Sequence, residues 1–109
     1  MPKILTKDKI KSLKFNNDGL IPVIAQCYET NEVLMMAWMN EESILLTLKK
    51  NRVTYFSRSR KKLWEKGETS GNYQILKHLI SDCDEDTLLA IVEQKGVACH
   101  KGKRSCFTD

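Results

Sequence analysis

Residues 73–94 read YQILKHLISDCDEDTLLAIVEQ, two apolar runs on either side of an acidic knot that holds one cysteine. Branched apolar residues dominate both runs and the charged residues between them favour a turn. The stretch therefore predicts strands over Tyr73–Ser81 and Thr87–Gln94, paired about Asp84-Glu85-Asp86. Two strands alone are marginal in water, so this hairpin needs further strands or a helix against its apolar face.

The chain upstream supplies both. Leu20–Tyr28 (LIPVIAQCY) and Val33–Met39 (VLMMAWM) read as a second hairpin, entered through the turn former Asn16-Asn17-Asp18-Gly19 and reversed at Glu29-Thr30-Asn31-Glu32. Pro22 suits an edge strand or a first-residue position, and the unbroken apolar run of Val33–Met39 implies burial on both faces. Asn40 is a good N-cap for a helix carrying Glu41 and Glu42 in its first turn and Ile44, Leu45 and Leu48 as an apolar stripe. A short amphipathic helix is expected over Thr6–Leu13, with Thr6 as N-cap, at the periphery. Val53–Ser57 reads as another strand, whereas the following RSRKKLWEKGETSGN has too many turn formers for core, and Gly96 opens a terminal loop. The sum is a single α+β domain over residues 1–109: about five strands in a mixed or antiparallel sheet or a barrel-like arrangement, with one or two helices.

Composition narrows the class. With 41% hydrophobic and 29% charged residues and only 5 Gly and 2 Pro, disordered and collagen-like chains are excluded. The opening MPKILTKDKIKSLKF intersperses lysines among its apolar residues, as neither a signal peptide nor a membrane anchor does, so a cytoplasmic location is expected. In a reducing compartment the four cysteines are expected to bind metal, catalyse or lie buried; if oxidised they can pair in three ways. The formal charge of +4 collects in Arg58–Lys62, at Lys66 and in His100–Arg104, clusters that attract phosphates or form a solvated basic face.

Two kinds of metal ligand crowd the last quarter. Cys83, Cys99 and Cys106 are borderline-soft thiols, while Asp82, Asp84 and Asp86 are hard oxygen donors that repel one another without a cation. In an extended DCDED segment the three aspartates face one way and Cys83 the other, placing a zinc-type and a magnesium-type site back to back. Spacings of sixteen and seven positions between the cysteines lack the CxxC pairs of zinc ribbons, and the aspartates lack the glycine and glutamate of an EF-hand. Buried inert thiols and a solvated acidic turn are the bland alternatives. Cys27, inside an apolar strand, reads as core, and His78 as structural. His100 directly follows Cys99 and faces away from it in an extended segment, which suits proton transfer better than metal ligation. Trp64 can stack on a base or cap the core.

Taken together, LIPVIAQ, EVLMMAWMNEES, YFSRSRKKLWEKGETSGN, DCDED and EQKGVACHKGKRSCF resemble the phosphoribosyl-AMP cyclohydrolases of histidine biosynthesis, from about Phe15 to Phe107. The resemblance implies hydrolysis of the purine ring of phosphoribosyl-AMP between N1 and C6, with zinc on Cys83, Cys99 and Cys106 and magnesium on Asp82, Asp84 and Asp86. It also implies an intertwined homodimer in which Cys83 of one subunit joins Cys99 and Cys106 of the other. Some members of the family carry a second, pyrophosphohydrolase domain after the RSCF motif, and a chain stopping at Asp109 is expected to be monofunctional. Cys27 departs from the family, where a polar residue is expected.

The implied substrate has an electron-poor adenine ring whose C6 is open to water, and His100 is the candidate to move the proton as N1 leaves. Its two phosphates call for two cationic cradles, for which Arg58, Arg60 and Lys62 and then Lys101, Lys103 and Arg104 are candidates. Trp64 can stack on the ring, with Ser70 and Gly71 offering hydroxyl and backbone contacts. Two other classes compete. A zinc-stabilised basic RNA-binding module needs a fourth zinc ligand and gains nothing from DCDED beside a polyanion; a base deaminase needs the HxE and PCxxC pattern, which is missing.

Overall fold

The computed structural model describes residues 3–107; Met1 and Pro2, the start of the segment read as neither leader nor anchor, and Thr108 and Asp109 lie outside the described residues. The hairpin of residues 73–94 forms as β6 (Gln74–Ser81) and β7 (Leu88–Gln94), with Ser81 opposite Leu88 and a bulge between Leu76 and His78. Beside β7 runs β2 (Ile21–Cys27), which is parallel to it, and beside β2 the antiparallel β3 (Val33–Met39). A two-residue β1 (Lys3–Ile4) closes the other edge, giving the order β1-β6-β7-β2-β3. One parallel pair makes this sheet mixed.

Alternation explains which face is core. In β2 the buried residues are Ile21, Val23, Ala25 and Cys27; in β7 they are Leu88, Ala90, Val92 and Gln94. Residues between them are only half-buried. The α-helix α1 (Glu41–Lys50) begins at Asn40, whose side chain accepts from the Ser43 amide at 2.8 Å while Ser43 Oγ accepts from the Asn40 amide at 2.8 Å. Its buried face is Ser43, Ile44 and Thr47, with Leu45 and Leu48 at its margin. Thr47 Oγ1 accepts from the Thr54 amide at 2.9 Å and so ties the helix to β4 (Thr54–Ser57).

Several expectations change. The run RSRKKLWEKGETSGN contains a strand, β5 (Lys62–Glu65), which pairs with β4 as a second, two-stranded sheet. Its charged residues hid it, although Leu63 and Trp64 are half-buried against Phe56 and Tyr55. β3 is not buried on both faces: it is an edge strand, and Val33 and Met36 are 42% and 44% exposed because no layer covers its outer side. β2 is internal, so Pro22 is no edge residue, but the ladder to β7 starts at Val23, beyond the missing N–H. The N-terminal helix is a 3-10 segment over Lys7–Ser12 without a side-chain cap from Thr6. Ile10 and Leu13, three apart, stack in line when the turn holds three residues, and both are buried. No helix among the described residues is long and apolar enough to cross a membrane.

Candidate active site

The terminal loop is built to bring two thiols together. Beyond β7 the chain doubles back, with the Ala98 amide bonded to the Arg104 carbonyl and the Cys99 amide to the Lys103 carbonyl, each at 3.0 Å. The returning leg is pinned to the start of β3 by the Cys106 amide on Leu34 O at 2.7 Å and by Ser105 Oγ on Val33 O at 2.6 Å. Cys99 and Cys106 are thereby close enough that each shifts the other's ionisation. The Lys101 amide, donating to Cys99 Sγ at 3.4 Å, lowers the Cys99 pKa, with the Lys103 amide and the Cys106 thiol helping. Local desolvation and the Cys99 charge push the Cys106 thiol up, although the residue as a whole is exposed.

Three hollows share Trp64 and His100 as walls, and two of them are also bounded by a cysteine of this pair. One, of about 320 Å³, is lined by Cys99, Lys66, Thr69, Ser70 and Asn72. A second, of about 540 Å³, takes Arg60, Lys62, Ser57 and Ser59. The third, of about 350 Å³, holds Cys106, Lys66, Met35, Met36 and Phe107. Trp64 is half-buried and packs on Tyr55 with ring centroids 5.5 Å apart, while His100 is exposed. The imidazole thus stands where all three spaces meet.

Other expected residues are placed differently. Arg58 lies over the Trp38 ring at 4.7 Å and lines a separate hollow with Asp18, Leu20 and Phe56, so it does not join Arg60 and Lys62. Arg104 donates to Glu32 Oε1 at 3.0 Å and to Cys27 Sγ at 3.2 Å, which fastens the terminal loop to the β2–β3 turn. Cys27 is buried as expected; burial would raise its pKa, but Thr30, the Glu29 backbone and Arg104 together lower it. Lys101 and Lys103 are exposed, and Ser70 Oγ accepts from the Asn72 amide at 3.2 Å in the loop whose Gly71 amide caps Gly67 O. His78 is exposed on β6 rather than packed among apolar residues, because it follows the bulge.

DCDED is a turn, not an extended segment. Glu85 has φ 61°, and Asp82 Oδ1 accepts from the Asp86 and Thr87 amides at 3.1 and 3.3 Å, so side chains do not alternate there. Those bonds outweigh desolvation and lower the Asp82 pKa. Cys83, Asp84 and Asp86 are exposed on this turn. It sits at the end of the sheet where β7 starts, while Cys99 and Cys106 lie past the end where β7 finishes. Seven residues of strand at ~3.3 Å each separate the two by roughly 20 Å. Among the described residues no group of three His, Cys, Asp or Glu side chains converges as a metal site.

Lys66, expected as part of a basic surface that attracts phosphates, is instead buried. It is 7% exposed, donates to the Ala98 carbonyl at 2.8 Å and lies 5.4 Å from the Trp64 ring. The available signal was its position two residues after Trp64, on the same side of an extended segment.

A family model described as phosphoribosyl-AMP cyclohydrolase matches residues 35–108. A protein of that name from Paramagnetospirillum magneticum is 61% identical over 98 residues, which is 90% of this chain and 74% of the relative. The chain belongs to the phosphoribosyl-AMP cyclohydrolase family. A cyclohydrolase from Chlorobium phaeobacteroides is 54% identical over 94% of this chain and 75% of its own length. The histidine biosynthesis bifunctional protein of Caldanaerobacter subterraneus is 61% identical, and there the chain spans 48% of the relative. Membership in a cyclohydrolase family makes the chain a hydrolase. Both the thiol pair and the hollows lie within the matched residues.

Proposed function

We propose that the chain opens the purine ring of phosphoribosyl-AMP by hydrolysis of the N1–C6 bond, using zinc and magnesium. The observation that carries this reading is the meeting of the Cys99–Cys106 thiol pair, His100 and Trp64 at one wall between a cationic and a hydroxyl-lined hollow. A pair of mutually coupled thiols, one already biased to ionise, is a fitting donor set for zinc. Zinc, when bound, supplies a Lewis acid and lowers the pKa of water. Trp64 offers an aromatic face to the purine, and Arg60 with Lys62 offers charge to one phosphate. Ser70 and Asn72 line the hollow on the other side of Trp64 and suit the polar remainder of the substrate. His100, exposed at the junction, carries a proton to N1 as the C6–N1 bond breaks.

Cys83 completes zinc only from a second copy, since it stands across the sheet from the other two thiols in its own chain. A homodimer is supported by a row of apolar residues, Met36, Ile24, Leu89 and Ile80, aligned across four strands. All four are less than fully buried, on the face turned away from the core. Asp82, Asp84 and Asp86, beside Cys83, are the residues to hold magnesium, which would supply charge that offsets their repulsion and draws phosphate oxygens. The test is incubation of the purified chain with phosphoribosyl-AMP, following ring opening by absorbance and metal content by elemental analysis. Ring opening that vanishes on zinc removal and returns on its restoration is expected; no ring opening by the zinc-loaded protein rejects the reading.

A further inference from the structure

Lys66 is out of place by ordinary rules. Lysine is almost never buried without a partner, because desolvating an ammonium is costly. Here the residue after β5 turns inward: its backbone is fixed by the Lys66 amide on Val53 O at 2.9 Å, and Gly67 immediately follows with φ 85°. The side chain passes Trp64 and ends on the carbonyl of Ala98, the residue before Cys99. One of its three N–H donors is used by that carbonyl, and the remaining charge lies within electrostatic reach of both Cys99 and Cys106. Burial lowers the Lys66 pKa, and the two cysteines act against that.

Charge counting gives the arrangement a purpose. Zinc takes thiolates, so three cysteines around one dication leave a net negative charge in a partly enclosed site. The basic residues at the surface are screened by water, whereas an ammonium buried beside the thiols is not. We propose that Lys66 is a positioning residue of the zinc site, its ammonium anchored on Ala98 to balance the charge of the Cys99 and Cys106 thiolates. It touches neither substrate nor reacting atoms in this role. The inference rests on the zinc reading of the preceding subsection.

Zinc affinity of the full-length chain, measured by competition with a chromophoric chelator at constant pH, tests it. Lys66→Met removes charge and hydrogen bond, Lys66→Gln removes charge but keeps a donor for Ala98, and Lys66→Arg keeps both. Met and Gln variants are expected to hold zinc about 10–100-fold more weakly than wild type, the range for losing an outer partner of a metal ligand, and Arg to restore most of that loss. Wild-type affinity in Lys66→Gln overturns the charge role and leaves only a loop clamp. Wild-type affinity in Lys66→Met overturns both. Should Lys66→Met fail to fold by circular dichroism, the Gln and Arg pair decides the same question. A wild-type chain that binds no zinc at all rejects the metal reading, and this inference with it.

Discussion

His100 is separated from Cys99 by one peptide bond, yet it is exposed and borders all three hollows, whereas Cys99 is buried and borders one. That division of labour has a measurable consequence. His100→Ala is expected to slow turnover by roughly 10²–10⁴-fold while zinc stays bound. Turnover near the wild-type rate at neutral pH would remove the proton-transfer role. Away from the site, Tyr55 Oη donates to Gln74 Oε1 at 2.6 Å, and Gln74 Nε2 donates to Gln94 Oε1 at 2.8 Å, all three side chains being buried. Burial pushes the Tyr55 pKa up, so it remains a donor. Tyr55→Phe leaves Gln74 Oε1 without its tyrosine donor and should cost about 1–3 kcal/mol. Each kilocalorie lowers the melting temperature of a domain this size by about 4–8 °C, so thermal unfolding reads it directly. An unchanged melting temperature would mean that the bond is worth nothing net.

At the scale of elements, the segment from β5 to β6 turns on one glycine. Gly67 has φ 85°, and a side-chain carbon there would lie 2.4 Å from the Tyr73 amide nitrogen, so the loop closes only because that carbon is absent. Gly71, four residues on, has φ 80° but open space around it. Both positions penalise alanine through left-handed backbone, by about 1–2 kcal/mol. Gly67→Ala should therefore lose clearly more stability than Gly71→Ala in urea unfolding, and equal losses would sink the packing explanation. The same loop carries Ser70 and Asn72 into the hollow beside Cys99, so Gly67→Ala should also weaken substrate binding. The acidic turn is steadied from another element: Lys14 N donates to Glu85 O at 2.7 Å and Ser12 Oγ to Glu85 Oε2 at 2.5 Å. The peripheral N-terminal segment thus holds the Cys83 turn in place.

For the whole molecule the question is whether one chain makes a site. Mixing two inactive variants answers it. In the proposed homodimer, Cys83→Ser and Cys99→Ser would each remove a zinc ligand from every site. If Cys83 is supplied across the interface, a mixed dimer has one site with all three cysteines and one with two replaced. Random exchange of equal amounts then makes about half the dimers mixed and restores about a quarter of wild-type activity. No recovery after verified exchange would reject the shared site. The expected partner surface is the row from Met36 to Ile80, and a charge placed at Ile24 should weaken association without unfolding the sheet.

Two hairpins and the capped helix were legible because each is written in local terms. Apolar runs rich in branched residues make β2, β6 and β7, Asn40 with Ser43 makes a cap, and turn formers mark Asn16–Gly19. Motif resemblance carried the family. Tertiary structure alone decided the rest. The inward turn of Lys66, the separation of Arg58 from Arg60 and Lys62, and the use of Arg104 as a clamp depend on partners more than thirty residues distant or on which way a short strand faces. Cys83 and Cys99 look like neighbours in a list of ligands, but a straight seven-residue strand holds them at opposite ends of one sheet. Sequence names the candidate ligands; the direction of β7 determines which of them one chain can bring together.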